Sequence, residues 1–362
     1  MRLQNWPIRA KNYAQDYIAY KWYNNKCKPN RKPIIAFNIR KPHLYHRYLY
    51  TFIKFLHLEG FQVIFPGSLY QFRKIINADI YLNLLLKEKI IQFRSTTKEQ
   101  VFLELNDNNL SPDYYSFLHQ NRSENDFYVP MTFHPLFYHK DLWNLDAIPI
   151  AKKKSIFMAG NFDEHTYSAI EKTFFNIKSR TEIYNFLKEK EILTLFETNQ
   201  EFKVFVESEI DYKCVILTTD KVSIPMDKLL ETLSSFKFFL ACPGVIIPNS
   251  HNIIEAISVG CIPLIQYVYA ETFHPPLEHL KTGIIFNDFE DLQNKVQFCY
   301  DLPDDKIKEM QKNIMNYYGE YLTPKAVVGK IKLNKDQKIY LQAEFESAKL
   351  FRYAMLSKLK KN

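Results

Sequence analysis

The N-terminal part of the chain alternates between two hydrophobic spacings. The run Ile34-Ile35-Ala36-Phe37, bounded by Pro33 and Asn38, reads as a short buried strand. From Pro42 to Glu59 the apolar positions Leu44, Leu49, Phe52, Phe55 and Leu56 recur at helical spacing, and Gly60 supplies the stop. Phe61-Gln62-Val63-Ile64-Phe65 is a second strand, closed by Pro66-Gly67. Strand, helix and strand in such close succession form a βαβ unit, the building block of parallel sheets. Ala78 to Leu82 and Val101 to Leu105 are read as two further strands of the same sheet. Asp107 to Asn125 is polar and without a strong period, and Phe127 to Met131 is another strand candidate. His139 to Lys154, with Asp141, Asp146, Pro149 and a lysine triplet, reads as the crossing between two lobes.

A second pattern of the same kind then begins. Ser155 to Ala159 is strand-like and runs into Gly160-Asn161. A helical stretch follows, leading to Arg180 through Leu187. Lys213 to Leu217 is apolar, and Ile224 to Ser235 predicts a helix. The clearest strands of this half are Phe236 to Ala241 and Ile262 to Gln266; helical patterns dominate after Leu292 and end in a lysine-rich tail. The expected class is α/β, with an N-terminal domain over 1–145, a C-terminal domain over 146–330 and a terminal helix over 331–362 packing back on the body.

Composition narrows this picture. A chain of 362 residues suits two domains. With 46% hydrophobic and 24% charged residues, long disorder is not expected. The 29 Phe and 24 Tyr accompany abundant Lys, Asn and Ile, a bias of AT-rich coding, so aromatics are not all binding residues. Five scattered cysteines without a C-x-x-C pair argue against a disulfide framework or zinc site and fit a reducing compartment. Met1 to Pro7 has no apolar core of a signal peptide, and no apolar run is long enough to span a membrane. The expected location is the cytoplasm, with the inner face of the membrane as a place of contact. A net charge of +8 suits a phosphorylated substrate, anionic lipid or nucleic acid, or is only a solvated basic surface; no nucleic-acid motif accompanies it.

The most informative window runs from Phe238 to Ile265. A strand ends at Ala241, and a loop with Pro243, Gly244 and Pro248 follows. Asn249 or Ser250 is placed to cap a helix from about His251 to Val259, Gly260 stops it, and a strand resumes at Ile262. The start of such a helix, at the carboxyl edge of a parallel sheet, presents N–H groups and a positive dipole end to a phosphate. Glu255 lies four residues after His251 on the same helix face, a position suited to ribose hydroxyls, with Ser250 and His251 near the phosphates. The other reading of this window is an ordinary β-α-β unit with a surface Glu255 and a capping Gly260.

Leu240, Ala241, Gly244, Pro248, Ser250, Glu255, Ala256, Gly260, Cys261, Ile262 and Pro263 together resemble the donor-binding signature of GT-B glycosyltransferases, most of all the exostosin family. The stretch His251-Asn252-Ile253-Ile254-Glu255-Ala256 also resembles bacterial capsule and O-antigen glycosyltransferases, Kdo transferases among them. The resemblance spans about thirty residues and continues weakly through Thr282 to Phe286. One departure is His251-Asn252, where exostosins carry a basic residue soon after the serine. The resemblance implies a GT-B fold, two facing Rossmann-like domains with parallel sheets. It implies transfer of a sugar from a nucleotide-sugar to a glycan or lipid-linked glycan acceptor in bacterial surface polysaccharide synthesis. The alternatives are a CMP-Kdo-dependent Kdo transferase, a non-catalytic nucleotide-binding protein of the same fold and a sugar-nucleotide epimerase. No cofactor, no essential metal and no nucleic-acid partner are expected.

Further candidates stand beside this window. Donor-binding candidates are Gly160 and Asn161 after a strand, Arg180 as a counter-charge, Gly244, Pro248, Ser250, His251, Asn252, Glu255, and His274 in Phe273-His274-Pro275-Pro276. A plain turn, a solvated helix arginine and a loop histidine are the respective alternatives for Gly160-Asn161, Arg180 and His274. Transfer needs a base or stabilisation of the departing phosphate. Glu104, Asp107 and His134, all assigned to the first lobe, are the catalytic candidates, against solvated acids and a capping histidine. Arg40, Lys41, His43 and His46 follow the first strand, where an acceptor would dock. Asp304-Asp305 looks like helix capping rather than a metal motif. The basic C-terminal stretch Ala348 to Lys361 is read as a helix on the body or as a contact for anionic lipid.

Overall fold

The computed structural model describes residues 6–27, 33–67, 69–95, 101–143, 152–333 and 338–360. Asp146, Pro149 and the first five residues lie outside them. The protein is a mixed α/β chain with parallel sheets, divided into two compact units.

Unit 1 comprises Met1–Val129 and Pro324–Ser347. Its elements are α1 (Trp6–Lys26), β1 (Ile34–Asn38), α2 (His46–Leu58), β2 (Gln62–Phe65), α3 (Leu69–Ile76), α4 (Leu82–Lys87), β3 (Ile91–Phe93) and β4 (Val101–Asn106). The strands pair in parallel in the order β3-β2-β1-β4. β1 is buried along four of its five residues, and Phe37 stacks on Phe65 at 5.6 Å and meets Phe52 edge-on at 6.0 Å. Gly60 closes α2 at φ +85°, a conformation that costs glycine little.

Three expectations for this unit are corrected. The helix expected from Pro42 begins only at His46, because Pro42–Tyr45 winds into a tighter 3-10 turn. Ala78 to Leu82 is not a strand. The Asp79 carboxylate accepts the Leu82 N–H at 2.8 Å and turns the chain into α4, which buries Leu82, Leu84 and Leu85. The strand beside β2, at one edge of the sheet, is instead β3. The strand expected at Phe127–Met131 is β6 (Asp126–Tyr128), in a separate small sheet. There β13 (Lys338–Tyr340) lies between β5 (Leu110–Ser111) and β6, parallel to both. Tyr128 and Tyr340 stack at 4.5 Å across that pairing. Helix α14 (Pro324–Leu333) packs against α2.

Unit 2 comprises Pro130–Thr323 and Ala348–Asn362. The chain thus leaves unit 1 at 129/130 rather than near 145, returns at Pro324 to place β13, and leaves again at Ala348. Unit 2 opens with α5 (Pro135–His139) and β7 (Lys153–Gly160), followed by α6 (Glu164–Tyr167), α7 (Arg180–Glu189), β8 (Leu193–Thr194), α8 (Asn199–Glu207) and β9 (Cys214–Thr218). Then come α9 (Met226–Ser234), β10 (Phe236–Ala241), α10 (His251–Ser258), β11 (Ile262–Gln266), α11 (Tyr267–Ala270) and β12 (Ile284–Phe286). Helices α12 (Phe289–Asp301) and α13 (Asp304–Tyr317) follow, and α15 (Phe345–Leu359) ends the chain, its first turn belonging to unit 1. Phe351 of α15 stacks on Phe175 at 4.5 Å.

The six strands of unit 2 pair in parallel in the order β12-β11-β10-β7-β9-β8. Phe238, Leu240, Ile254, Ile257, Leu264 and Ile265 have no solvent exposure, so α10 and the two central strands form the middle of the core. The order also decides where a ligand fits. From β7 the chain runs to the edge strand β8, returns to place β9 between β8 and β7, then crosses over to add β10, β11 and β12 on the other side. The connections after β7 and β10 therefore run to opposite sides, the switch-point arrangement at which open α/β sheets bind ligands. No helix among the described residues is long and apolar enough to cross a membrane.

Candidate phosphate site in unit 2

Helix α10 starts at that switch point. Ser250 occupies its N-cap position with extended backbone, φ −131° and ψ 146°. The expected serine cap does not form: the Ser250 hydroxyl turns to Asn252 Oδ1 at 3.2 Å and makes no capping bond to the first turn. The N-terminal N–H groups and the positive end of the helix dipole keep their pull on an anion. The loop leading there is tightly held. Gly244 N–H donates to Pro248 O at 3.2 Å, Asn249 Nδ2 to Thr272 Oγ1 at 3.1 Å, and Ser250 N–H to the buried Tyr269 hydroxyl at 2.8 Å. A Cβ on Gly244 would lie 2.8 Å from Ile247 O and 2.9 Å from Asn249 O, so only glycine fits. Asn252 Nδ2 donates to Ala159 O at 3.1 Å and fixes α10 to the end of β7.

Arg180 joins the two diverging loops. It is the first residue of α7, whose Ser179 and Glu182 form a reciprocal capping box. It is not a solvated helix residue, being only 3% exposed. Nη1 donates to Asn161 O at 3.0 Å and Nη2 to Pro243 O at 3.3 Å, and the guanidinium lies 4.1 Å from the Tyr167 ring centroid. Nε is buried and has no hydrogen-bond partner among the described residues, and no described carboxylate pairs with the group. A buried cation balanced only by carbonyls and a ring is a ready partner for an oxyanion. Gly160 lets it approach: a Cβ there would stand 2.9 Å from Nη1.

Glu255 is 1% exposed rather than open to a ribose. Its Oε1 lies 2.9 Å from His251 Nδ1 and accepts the His134 N–H at 3.2 Å. Burial would raise the carboxyl pKa, but the charge and hydrogen bond of His251 and the contact with His134 outweigh it and hold the pKa below the usual 4.5. An ionised carboxylate only accepts, so Nδ1 of His251 carries the proton of this bond. The ring of His134 meets that of His251 edge-on at 5.1 Å.

His134 therefore belongs to unit 2, not to the first lobe. Its Nδ1 accepts the Leu136 N–H at 3.3 Å as the cap of α5, while Phe133 packs on Phe137 and Tyr318. His274 lies in the loop after α11, before a cis peptide to Pro275 whose carbonyl accepts from the Tyr317 hydroxyl at 2.6 Å. Asp304 does not cap α13; Pro303 holds that position and Asp304 pairs with Lys237 at 3.0 Å.

The remaining candidates lie in unit 1, at the carboxyl ends of β1 and β4. Glu104 is exposed and accepts from Asn38 Nδ2 at 3.1 Å. Asp107 pairs with Arg40 at 2.9 Å. His46 Nδ1 lies 2.7 Å from Asp79 Oδ2, and its φ of +45° is a strained value for a side-chain-bearing residue. Such strain costs about 1–3 kcal/mol and persists only where surrounding contacts impose it. Sequence reading missed Asp79, Tyr167 and Tyr269. None carries a local motif, and only the folding of distant segments brings them to these sites. Among the described residues no group of three or more His, Cys, Asp or Glu side chains is placed to hold a metal.

No protein-family model matches the sequence, and no curated protein matches it. Solved structures with a partial likeness include HepE of Anabaena in complex with UDP: 10% identity, TM-score 0.44, 83% of this chain and 98% of that one. A glycosyltransferase from Rickettsia africae is 13% identical, with TM-score 0.37 over 85% of this chain and 99% of that one. TarM of S. aureus, in complex with UDP, is 10% identical at TM-score 0.37; the chain spans only 58% of its length. All of these likenesses lie below a TM-score of 0.5.

Proposed function

We propose that unit 2 binds the phosphate groups of a nucleotide-sugar and that the chain is a glycosyltransferase acting on a glycan acceptor. The observation that carries this reading is the buried Arg180 guanidinium, held by the loops after β7 and β10 with Nε unpartnered among the described residues, close to the start of α10, which Asn252 ties to the end of β7. Glycosyl transfer leaves negative charge on the departing nucleotide phosphate, and a fixed cation with aligned N–H groups stabilises that charge without reorganising. His251 is 29% exposed and has Nε2 available to the ligand once Nδ1 is committed to Glu255. Glu255 acts here through His251, as a positioning residue, because its own carboxylate is closed off. The donor residues of this reading are Gly160, Asn161, Arg180, Gly244, Pro248, Ser250, His251 and Asn252. A role in capsule or O-antigen synthesis, and use of CMP-Kdo, rest on the sequence resemblance of the window around Glu255.

The test is a thermal-shift and calorimetric screen of CMP, UDP and GDP. At least one nucleotide should raise the melting temperature, and Arg180→Gln should weaken its binding at least tenfold. A protein indifferent to all three nucleotides would sink the reading. Nucleotide binding without release of nucleotide from any nucleotide-sugar would reduce it to a binding protein.

A further inference from the structure

Unit 1 holds a pocket of about 550 Å³ above the carboxyl ends of β1 and β2. Its wall includes His43 from the 3-10 turn, His46 from the start of α2, Tyr70, Arg73 and Lys74 from α3, and Asp79. The charges are unequal. The one carboxylate, Asp79, is already committed to His46 at 2.7 Å and to the Leu82 N–H at 2.8 Å. Arg73 is paired outward with Asp16 at 2.8 Å. Among the described residues Lys74 has no carboxylate partner: its ammonium meets the Arg40 carbonyl and lies 4.1 Å from the Tyr70 ring centroid. His43 is partly buried beside Lys74, Lys41 and His46; desolvation first, then those charges, lower its pKa, so at neutral pH its ring is an uncharged donor. The pocket thus offers a lysine without a counter-charge, a neutral imidazole and a His–Asp pair, beside a tyrosine that is 60% exposed.

We propose that this pocket binds a compact oxyanion, phosphate or carboxylate, carried by the molecule that accepts the sugar. Lys74 supplies the charge, His43 supplies a directional N–H group, and the exposed Tyr70 gives the carrier of the anion a face to pack on. That the ligand is the acceptor rests on the transferase reading of unit 2; oxyanion binding by the pocket does not.

The experiment is isothermal titration of the full chain, at fixed ionic strength, with inorganic phosphate, glucuronate and glucose. Wild type is compared with Lys74→Gln, which keeps a donor for the Arg40 carbonyl, with His43→Ala, and with Arg180→Gln as the control for unit 2. Phosphate or glucuronate should bind, glucose should not, and the tighter anion identifies the group. Lys74→Gln should weaken the anion about tenfold or more, His43→Ala less, and Arg180→Gln should leave a Lys74-dependent component in place. Anion binding unchanged in Lys74→Gln, lost only in Arg180→Gln, or no stronger than that of glucose overturns the proposal. Lys74-dependent anion binding in a protein that ignores nucleotides would retain the pocket and discard the transferase reading.

Discussion

His251 and Glu255 stand one turn apart on α10 with 2.9 Å between Nδ1 and Oε1, and the solvent reaches only the histidine. The pair is therefore asymmetric. The buried carboxylate fixes the ring, and the ring presents its remaining nitrogen at the start of the helix. The His134 N–H adds a second donor to the same oxygen.

Glu255→Gln should destabilise the protein at neutral pH by about 1.5–3 kcal/mol, the range for a hydrogen bond to a charged group. The sign with pH follows from the lowered pKa. The carboxylate's contribution is complete above the unfolded value of 4.5 and is lost as pH falls through the lower folded value. The gap in melting temperature between wild type and Glu255→Gln should shrink on acidification below 4.5. A gap that stays constant down to pH 3 would contradict an ionised Glu255.

Gly244→Ala places a methyl 2.8 Å from a backbone carbonyl, and neither neighbour is a flexible side chain. The loop must shift, at a cost of about 1–3 kcal/mol typical of overpacking. Urea denaturation should show the loss, and nucleotide affinity should fall with it. Full stability in this variant would mean that the loop before α10 is not held as described.

The His46–Asp79 pair predicts the opposite pH trend. The hydrogen bond that His46 donates to Asp79 is the largest influence raising the His46 pKa; burial opposes it, Asp79 and Glu344 add charge attraction, and Arg47 repels. A raised histidine stabilises fully below its unfolded value of 6.5 and loses that contribution as pH rises through the folded value. The melting temperatures of wild type and His46→Gln should differ most near pH 5 to 6 and converge on the alkaline side. A difference that grows above pH 8 would refute the assignment.

Phe351→Ala removes a side chain that is 4% exposed and stacked on Phe175. Deleting a buried phenylalanine costs about 3–5 kcal/mol. Chemical denaturation should report that loss, and a change under about 0.5 kcal/mol, as for surface substitutions, would show that α15 is not anchored there.

The sequence by itself determined the α/β class, most strands of both units and the strand-loop-helix-strand at 236–266. These are local matters: apolar runs of strand length, helical spacing, and glycine and proline at the breaks. It also singled out Ser250, His251 and Glu255, because helix geometry alone puts residues 251 and 255 on one face. Tertiary structure decided the rest. Whether Arg180 is solvated or buried depends on two loop carbonyls, one of them 63 residues away. Glu255 looks open to ligand on a helical wheel and is closed by a histidine amide 121 residues distant. β13 has only three residues and no pattern of its own until Ser111 and Tyr128 lie beside it. Spacing fixes what neighbours along the chain can do. Burial and the partners of a charge are set by segments that meet only on folding, and those partners decide which of the candidate residues can meet a ligand.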